Sequence, residues 1–239
     1  WAIVGTPNGS GQGRFSQVVR NSGGYNYRET AAGKWESGAM TKGYLDALTL
    51  YQDAVKEGVV PPGYTSTGYP EASAQIANGK GVMMITGPHS LGIIMKANPS
   101  LNGKIAGFPM PTNNGAKPVT TLGNLGYAIS KSGKNKPLAI EYIKFQLSTK
   151  YQLAYNKVEW RLPSRLKAQK EPQVTGGMAA GFVGALKGGL WTEPTAGFNG
   201  SIVKVDYEAY SEAFQGKKTP EQIQKEADAK IKKVIADNS

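Results

Sequence analysis

Cysteine is absent from this chain of 239 residues, and histidine occurs once, at position 89. The sequence therefore excludes disulfides, thiolate metal sites and cysteine nucleophiles, and one histidine cannot by itself build a catalytic triad or a metal cluster. No apolar run approaches the ~20 residues that a membrane-spanning helix needs. We expect the chain to hold neither a metal nor a cofactor.

Acidic residues are also few: 17 Asp and Glu stand against 28 Lys and Arg, which gives a net charge of +11. A basic balance raises nucleic acid or an anionic surface as a partner. The basic residues are dispersed, however, and no Lys/Arg-rich block typical of nucleic-acid binding appears. Nucleic acid is therefore not an expected partner, although a basic module that binds cell wall or nucleic acid remains an alternative.

Helices alternate with short apolar strands along the chain, which predicts an α/β fold. The clearest helix follows Thr219, because Pro220 and Gln222 complete a capping box there. Asn135 is expected to cap another helix, whose buried face comprises Ala139, Tyr142, Ile143 and Leu147. Helices are predicted over residues 13–21, 37–57, 71–77, 90–97, 135–147, 151–157, 178–187 and 202–214, with a last one from 219; strands are predicted over 82–85, 105–108 and 125–130.

Residues 71–90 are the most informative segment. A short helix is followed by an Asn78-Gly79 turn, and residues 82–85 are apolar on both faces, as in a strand covered on both sides. Ligands in open α/β sheets lie beyond the carboxyl ends of strands, so residues 86–90 are expected near a ligand. A plain strand-to-helix connection without a ligand explains the spacing alone somewhat better.

Four blocks of this sequence resemble the family 1 extracellular solute-binding proteins of bacterial ABC sugar importers, the maltose-binding-protein-like group. In the family pattern F-x-x-G-x-x-A-M-x-x-x-G-x-W, Ile76, Gly79, Val82-Met83 and Gly87 fit, and His89 stands where the family usually has Trp. Residues 123–165 resemble the family's run G-G-x-x-x-x-I-S-x-x-S-K-N with its following helix and proline, and residues 15–24 and 214–231 supply two shorter blocks in the family's order.

The resemblance implies a periplasmic-binding-protein-like type II fold, in which two α/β lobes enclose the ligand. It assigns residues 1–122 and 161–239 to the second lobe, and residues 123–160 to a segment that crosses back into the first lobe. The family's first lobe has no counterpart in these residues, so the missing first lobe of the same protein is an expected partner.

The same resemblance implies an extracytoplasmic sugar-binding subunit of an ABC importer, periplasmic or extracellular and attached to the cell surface. It would bind a mono- or oligosaccharide in the cleft between the lobes without chemistry, and its other partners would be the transporter's membrane subunits. The alternative is a carbohydrate-active enzyme, a glycosidase or lyase. Glycoside hydrolysis needs two positioned carboxylates, and no spacing among the acidic residues singles out a pair, so an enzyme is not expected.

A sugar site needs flat aromatic side chains against the ring face and hydrogen-bonding groups around its edge. The tryptophans in or near loops are therefore candidates, while core packing is the alternative for each of them and is the expected role of Trp35. Arg161 adds a five-donor fork beside Trp160, and the pair Gly123-Asn124 offers close backbone approach and an amide. The expected ligand contacts are Trp1, His89, Gly123, Asn124, Trp160, Arg161, Trp191, Glu193 and Asn199.

Overall fold

Short strands and longer helices alternate in the computed structural model, which describes residues 3–4, 11–61, 63–123, 126–191 and 197–238. The strands are β1 (Ile3–Val4), β2 (Tyr27–Ala31), β3 (Lys34–Ser37), β4 (Met83–Met84), β5 (Thr120–Thr121) and β6 (Leu190–Trp191). The helices are α1 (Gly11–Asn21), α2 (Lys42–Lys56), α3 (Tyr69–Ala77), α4 (His89–Ala97), α5 (Lys136–Gln146), α6 (Thr149–Glu159), α7 (Leu166–Gln169), α8 (Pro172–Thr175), α9 (Ala180–Ala185), α10 (Asn199–Gln215) and α11 (Pro220–Ala236).

The largest core lies between α1, α2, α10 and α11. On α2, Tyr44, Leu48 and Tyr51 are buried at helical spacing, as expected for a helix with one apolar stripe. The ring of Phe15 on α1 meets Tyr44 edge to face with centroids 5.0 Å apart and stacks on Tyr210 of α10 at 5.7 Å. Each such buried side chain contributes roughly 1.5–3 kcal/mol, so this aromatic group fixes how α1, α2 and α10 pack.

A β-hairpin replaces the first turn of the long helix that the sequence predicts over residues 37–57. The helix α2 begins only at Lys42, and β3 pairs antiparallel with β2. The turn before α2 depends on Gly38, because a Cβ there would lie 2.2 Å from the carbonyl oxygen of Tyr25. Trp35 on β3 packs against the main core, with its ring 5.6 Å from that of Phe198 in an edge-to-face contact. The packing role expected for Trp35 is therefore confirmed.

The strand predicted over residues 82–85 is shorter and more exposed than expected. Only Met83 and Met84 pair, in parallel with β1, and Val82 is 76% exposed. The prediction of a strand covered on both faces is wrong because Met84 packs on the small core between α3 and α4 while Met83 faces outward. Apolar composition alone does not show which face of a strand finds a partner.

Two further strand predictions are also wrong in the described part of the chain. Residues 105–108 run alongside the segment before α9, where the amide of Gly107 donates to the carbonyl of Met178. Residues 126–130 pair with no strand there, and 124–125 lie outside the described residues. Both segments are apolar but have no neighbouring strand edge among the described residues, so they remain irregular.

Local signals placed most helix ends correctly. The side chain of Asn135 accepts a hydrogen bond from the amide of Leu138, as expected for the cap of α5. At α11, Thr219 and Gln222 form the reciprocal capping box. The turn after α3 uses the left-handed conformation only at Gly79, where φ is +69°.

The face of α5 that was expected to be buried is largely open in this chain. Tyr142 is 56% exposed and Leu147 is 38% exposed. The resemblance to the family implies that this face packs on the first lobe, so its burial stays a prediction. The exposed apolar side chains of α5 and its C-terminal cap are here named the α5 surface and comprise Leu138, Ile140, Tyr142, Phe145 and Leu147. In the part of the chain described, no helix has the length and apolar character required to cross a membrane.

Helix α1 connects the two parallel strand pairs. The side chain of Arg14 donates to the carbonyl of Ile85, just beyond β4, over 2.8 Å. One turn later, Gln17 accepts from the amide of Thr121 in β5 at 2.8 Å and donates to the carbonyl of Val119. The side-chain amide of Asn21 donates to the carbonyl of Val119, and its oxygen accepts from the backbone N–H of Val119. The side chains of Gln17 and Asn21 thus form the hydrogen bonds with the backbone of residues 119–121 that a neighbouring strand would otherwise form.

Replacing Gln17 with Leu should lower the free energy of unfolding by about 1–3 kcal/mol, because the amide of Thr121 then loses its acceptor. Urea denaturation followed by circular dichroism measures the change. The matched control is Gln215→Leu at the exposed end of α10, which should stay within about 0.5 kcal/mol of the parent. A Gln17→Leu protein as stable as this control would contradict the bridging role of α1.

Candidate functional site

His89 is the first residue of α4 and lies beyond the carboxyl end of β4. Its imidazole folds back over Gly87, since a Cβ at that glycine would lie 2.8 Å from Nδ1 of His89. The sequence thus allows the ring to approach the backbone only because position 87 has no side chain. His89 therefore stands in the loop region where the sequence predicts a ligand.

Tyr69 and Arg14 complete one side of the site. The rings of Tyr69, the first residue of α3, and His89 have centroids 4.9 Å apart. The guanidinium carbon of Arg14 lies 5.7 Å from the centre of the Tyr69 ring, within the range of a cation–π contact. Because Arg14 also donates to the carbonyl of Ile85, its charge is held in place at the end of β4.

Trp160 and Arg161 enter from the end of α6. Trp160 has φ 58° and ψ 6°, a left-handed conformation that costs a non-glycine residue about 1–3 kcal/mol. This conformation ends α6 and brings the indole against α4, where a Cβ on Gly92 would meet Cδ1 of Trp160 at 3.3 Å. The buried amide of Asn156 donates to the carbonyl of Arg161 over 2.8 Å and so fixes the chain that carries the guanidinium.

Tyr69 and His89 are in ring contact, and the charges of Arg14 and Arg161 act on both. Trp160 lies against Gly92, three residues after His89 on α4. These five side chains are here named the His89 cluster: Arg14, Tyr69, His89, Trp160 and Arg161. Three of them were predicted from the sequence. Arg14 and Tyr69 were not, although a signal for Arg14 exists. The apolar face of α1 places Phe15, Val18 and Val19 in the core, and a cation at position 14 stands at the margin of that face, where it also interacts with Tyr210 and Tyr51 of the core.

Burial, together with the positive charges of Arg161 and Arg14, lowers the pKa of His89 to about 4. The imidazole is therefore neutral at physiological pH, with one nitrogen as donor and the other as acceptor. Burial raises the pKa of Tyr69, against the effects of a hydrogen bond to Ser90 and of the two arginines. Ser90 is also hydrogen-bonded to Thr86, with 2.5 Å between the hydroxyl oxygens.

The remaining predicted contacts are distributed differently. The backbone of Trp191 pairs with that of Thr121 in β5. Gly123 lies two residues after Thr121 and is exposed, and a Cβ added to it would have no atom within 4 Å. Asn199 begins α10 and its side-chain oxygen accepts from the hydroxyl of Tyr27 at 2.6 Å, which places it beside the hairpin. Lying outside the described residues are Trp1, Asn124, Glu193 and the side chain of Trp191.

The cluster can hold a ligand that has both an apolar face and a polar rim. Aromatic rings supply flat surfaces, guanidinium groups supply donors, and neutral imidazole supplies one donor and one acceptor. Among the residues that the structure describes, no group of three His, Cys, Asp or Glu side chains is placed to hold a metal ion. The arrangement is suited to binding by stacking and hydrogen bonding.

We expect the single histidine to titrate with a midpoint near pH 4, followed by its Cε1–H resonance in NMR. The ordinary pKa of histidine is 6.5. Between pH 6.5 and about 4, His89 is therefore protonated in the unfolded chain but still neutral in the folded chain. Stability should therefore fall as the pH is lowered through this window and then level off. His89→Gln should lose this part of the pH dependence, and Arg161→Gln should raise the midpoint. A midpoint near 6.5 would contradict the buried, arginine-flanked position.

Comparison with solved structures reveals the same fold in a sugar-binding protein. A crystal structure of a cyclo/maltodextrin-binding protein complexed with maltotetraose superposes with a TM-score of 0.70 at 19% sequence identity, covering 99% of this chain and 59% of the other. The predicted α/β fold of the periplasmic-binding-protein-like type II class is thereby confirmed. The assignment of residues to lobes stays a prediction.

Curated relatives give a similar result at the level of sequence. Proteins of Brucella abortus (strain 2308) and Brucella suis biovar 1 (strain 1330), named only as candidate binding proteins, are each 26% identical over 204 residues. That alignment includes 83% of this chain and 48% of each relative, so the chain spans about half the length of the curated relatives it matches.

A family model described as bacterial extracellular solute-binding protein matches residues 5–153, more than half of the chain. Such proteins work outside the cytoplasm, in the periplasm or at the cell exterior, and they are binding proteins rather than enzymes. The family match confirms the expected periplasmic or extracellular localisation and the expected non-enzymatic class, and attachment to the cell surface stays a prediction. The chain belongs to the bacterial extracellular solute-binding protein family.

Proposed function

We propose that this chain is part of a sugar-binding subunit of an ABC importer and that the His89 cluster contacts the sugar. The observation that carries the proposal is the ring contact of Tyr69 with His89 beyond the carboxyl end of β4, with Trp160 against Gly92 three residues later on α4 and exposed Arg161 next to it in the chain. The maltotetraose-bound relative of the same fold supports a sugar as the ligand. Binding leaves the sugar chemically unchanged.

The cluster has the two kinds of group that a sugar ring requires. The indole of Trp160 is half-buried against Leu91 and Met178, so its position is held by packing while part of the ring remains open. Arg161 is exposed at its side, and the neutral imidazole of His89 can serve a hydroxyl as donor or acceptor. Trp191, Gly123, Asn124, Glu193, Asn199 and Trp1 remain proposed contacts on the resemblance to the family.

We propose in addition that residues 123–160 pack on a first lobe that the described chain does not contain. The α5 surface supports this proposal, because it exposes large side chains such as Leu138 at 64% and Phe145 at 57%. Open apolar surfaces of this kind mark interfaces. This chain covers 48% of the curated relatives and 59% of the solved structure. The remaining part of those proteins is long enough to form such a lobe.

In the proposed mechanism, the sugar lies between the two lobes and their closure around it excludes water. Closure would change the outer surface that the transporter's membrane subunits recognise. Trp160, which has a left-handed backbone conformation, lies where residues 123–160 return to the second lobe. A sugar that contacts its ring would therefore act on the position of one lobe relative to the other.

The full-length protein should bind at least one mono- or oligosaccharide of a panel in isothermal titration calorimetry, and chromatography should recover the sugar unchanged. Trp160→Ala or Trp191→Ala should weaken binding by about 1–2 kcal/mol through the lost stacking contact. The control is Trp35→Ala, which removes an indole from the hairpin core and should reduce stability without a comparable loss of affinity.

The variant Trp160→Gly distinguishes the effect of losing the indole ring from the effect of the strained left-handed backbone. Glycine accepts the left-handed φ of 58° without strain, so this variant should be at least as stable as Trp160→Ala yet bind equally poorly. Turnover of any sugar would refute the binding-protein proposal. Unchanged affinity in both Trp160 variants, with a lower melting temperature, would assign the indole to core packing alone.

Hydrogen exchange tests the lobe assignment. In the 239-residue chain alone, amides of residues 123–160 should exchange faster than those of α2 and α11, because the α5 surface lacks a partner. In the full-length protein the same segment should become protected. Strong protection of residues 123–160 in a monomer of the isolated chain, with full sugar affinity, would show that the assignment to a first lobe is wrong.

A further inference from the structure

Positive charge predominates around the His89 cluster. The charges of both Arg161 and Arg14 act on His89, and the same two arginines act on Tyr69. Arg14 comes from α1, and its guanidinium carbon lies 5.7 Å from the centre of the Tyr69 ring, whose centroid is 4.9 Å from that of His89. Arg161 comes from the loop after α6 and follows Trp160, whose indole lies against Gly92, three residues after His89 on α4. The imidazole of His89 is neutral and adds no negative charge to the cluster.

Arg161 is the more available of the two arginines. Its side chain is exposed, and among the described residues its guanidinium takes part in no ion pair or hydrogen bond. Arg14, by contrast, is half-buried and already donates to the carbonyl of Ile85. A guanidinium presents five donors in a planar fork that matches a carboxylate or another oxyanion, so the free fork of Arg161 is suited to an anionic group.

The carboxylate nearest in sequence does not cancel this charge. The charge of Glu159 also affects the pKa of Tyr69, but less than the charge of Arg161 or Arg14 does. Glu159 is not among the groups that change the pKa of His89. Two arginines therefore act on the ring pair against one exposed glutamate. The net charge of +11 adds a long-range attraction for anions.

We propose that the sugar bound at the His89 cluster carries an anionic group, and that Arg161 is the residue that selects for it. A uronic acid unit, whose carboxylate replaces a hydroxymethyl group, fits the fork geometry; a sulfate or phosphate ester has the same charge and offers the same oxygen acceptors. This inference rests on the proposed function, since it names the class of sugar at that site.

Calorimetry on the full-length protein tests the inference with matched pairs: galactose and galacturonate, glucose and glucuronate, and oligomers of each. At low ionic strength at least one acidic sugar should bind about tenfold tighter or more than its neutral partner, as a charged hydrogen bond implies. Added salt should reduce this advantage. Glucose 6-sulfate and glucose 6-phosphate form separate arms that distinguish an ester from a carboxylate as the selected group.

Arg161→Gln should weaken binding of the acidic sugar by a larger factor than binding of its neutral partner and so remove most of the advantage, and Arg161→Lys should retain part of it. Lys157→Gln is the matched control: it removes one positive charge from the exposed face of α6, outside the cluster, and should preserve the advantage. Equal losses for both sugars in Arg161→Gln would assign the residue a structural role and overturn the inference.

The panel also separates this inference from the proposed function. If neutral sugars bind and their acidic partners bind equally or more weakly, the inference is wrong and the sugar-binding function stands. If no sugar binds, both are wrong. If Lys157→Gln lowers the advantage as much as Arg161→Gln does, general charge rather than the fork of Arg161 explains the preference, and the assignment to Arg161 is overturned.

Discussion

The structure depends most on the two faces of one helix, α1. Its apolar face joins the main core through Phe15, Val18 and Val19, while Arg14 at the margin of that face and Gln17 beyond it bind the ends of two separate strand pairs. Because a helix is rigid and positions three residues apart are adjacent on its surface, these contacts set the distance between the two pairs. The loops beyond β4 and β5 are held at that distance, and the candidate site lies at one of them.

At the site itself, two glycines determine which side chains can meet. Gly87 leaves space for the imidazole of His89, and Gly92 lets the end of α6 approach α4 closely enough for Trp160 to lie against it. The chemistry of the cluster thus depends on positions that carry no functional group. A change at either glycine would displace rings whose neighbours are fixed by α1 and α3, since little free space surrounds them.

Sequence reasoning succeeded where the signal is local. The caps at Asn135 and Thr219 and the turn at Gly79 are encoded within four residues, and the structure confirms them. It failed where the partner is distant in sequence: the apolar run 82–85 contains no information about which face is covered, and the hairpin before α2 depends on the close approach of Gly38 to Tyr25. The site shows the same division. Trp160 and Arg161 were predicted from the groups that a sugar site needs, and His89 from its loop beyond a strand and its place in the family pattern, whereas Arg14 and Tyr69 approach His89 only through tertiary packing.

The distribution of buried side chains explains why the site lies where it does. The main core draws its members from the hairpin and from α1, α2, α10 and α11, and none of the described residues in 123–160 contributes to it. That segment is attached to the rest chiefly through α6, whose end packs on α4 by way of Trp160. The stability of the main core therefore does not require a fixed position for residues 123–160. Residues 123–160 pack on the rest of the described chain where α6 meets α4, α7 and α8. A ligand that contacted Trp160, Arg161 and His89 would lie at the first of these contacts, so its binding energy would act on the position of α6 relative to α4.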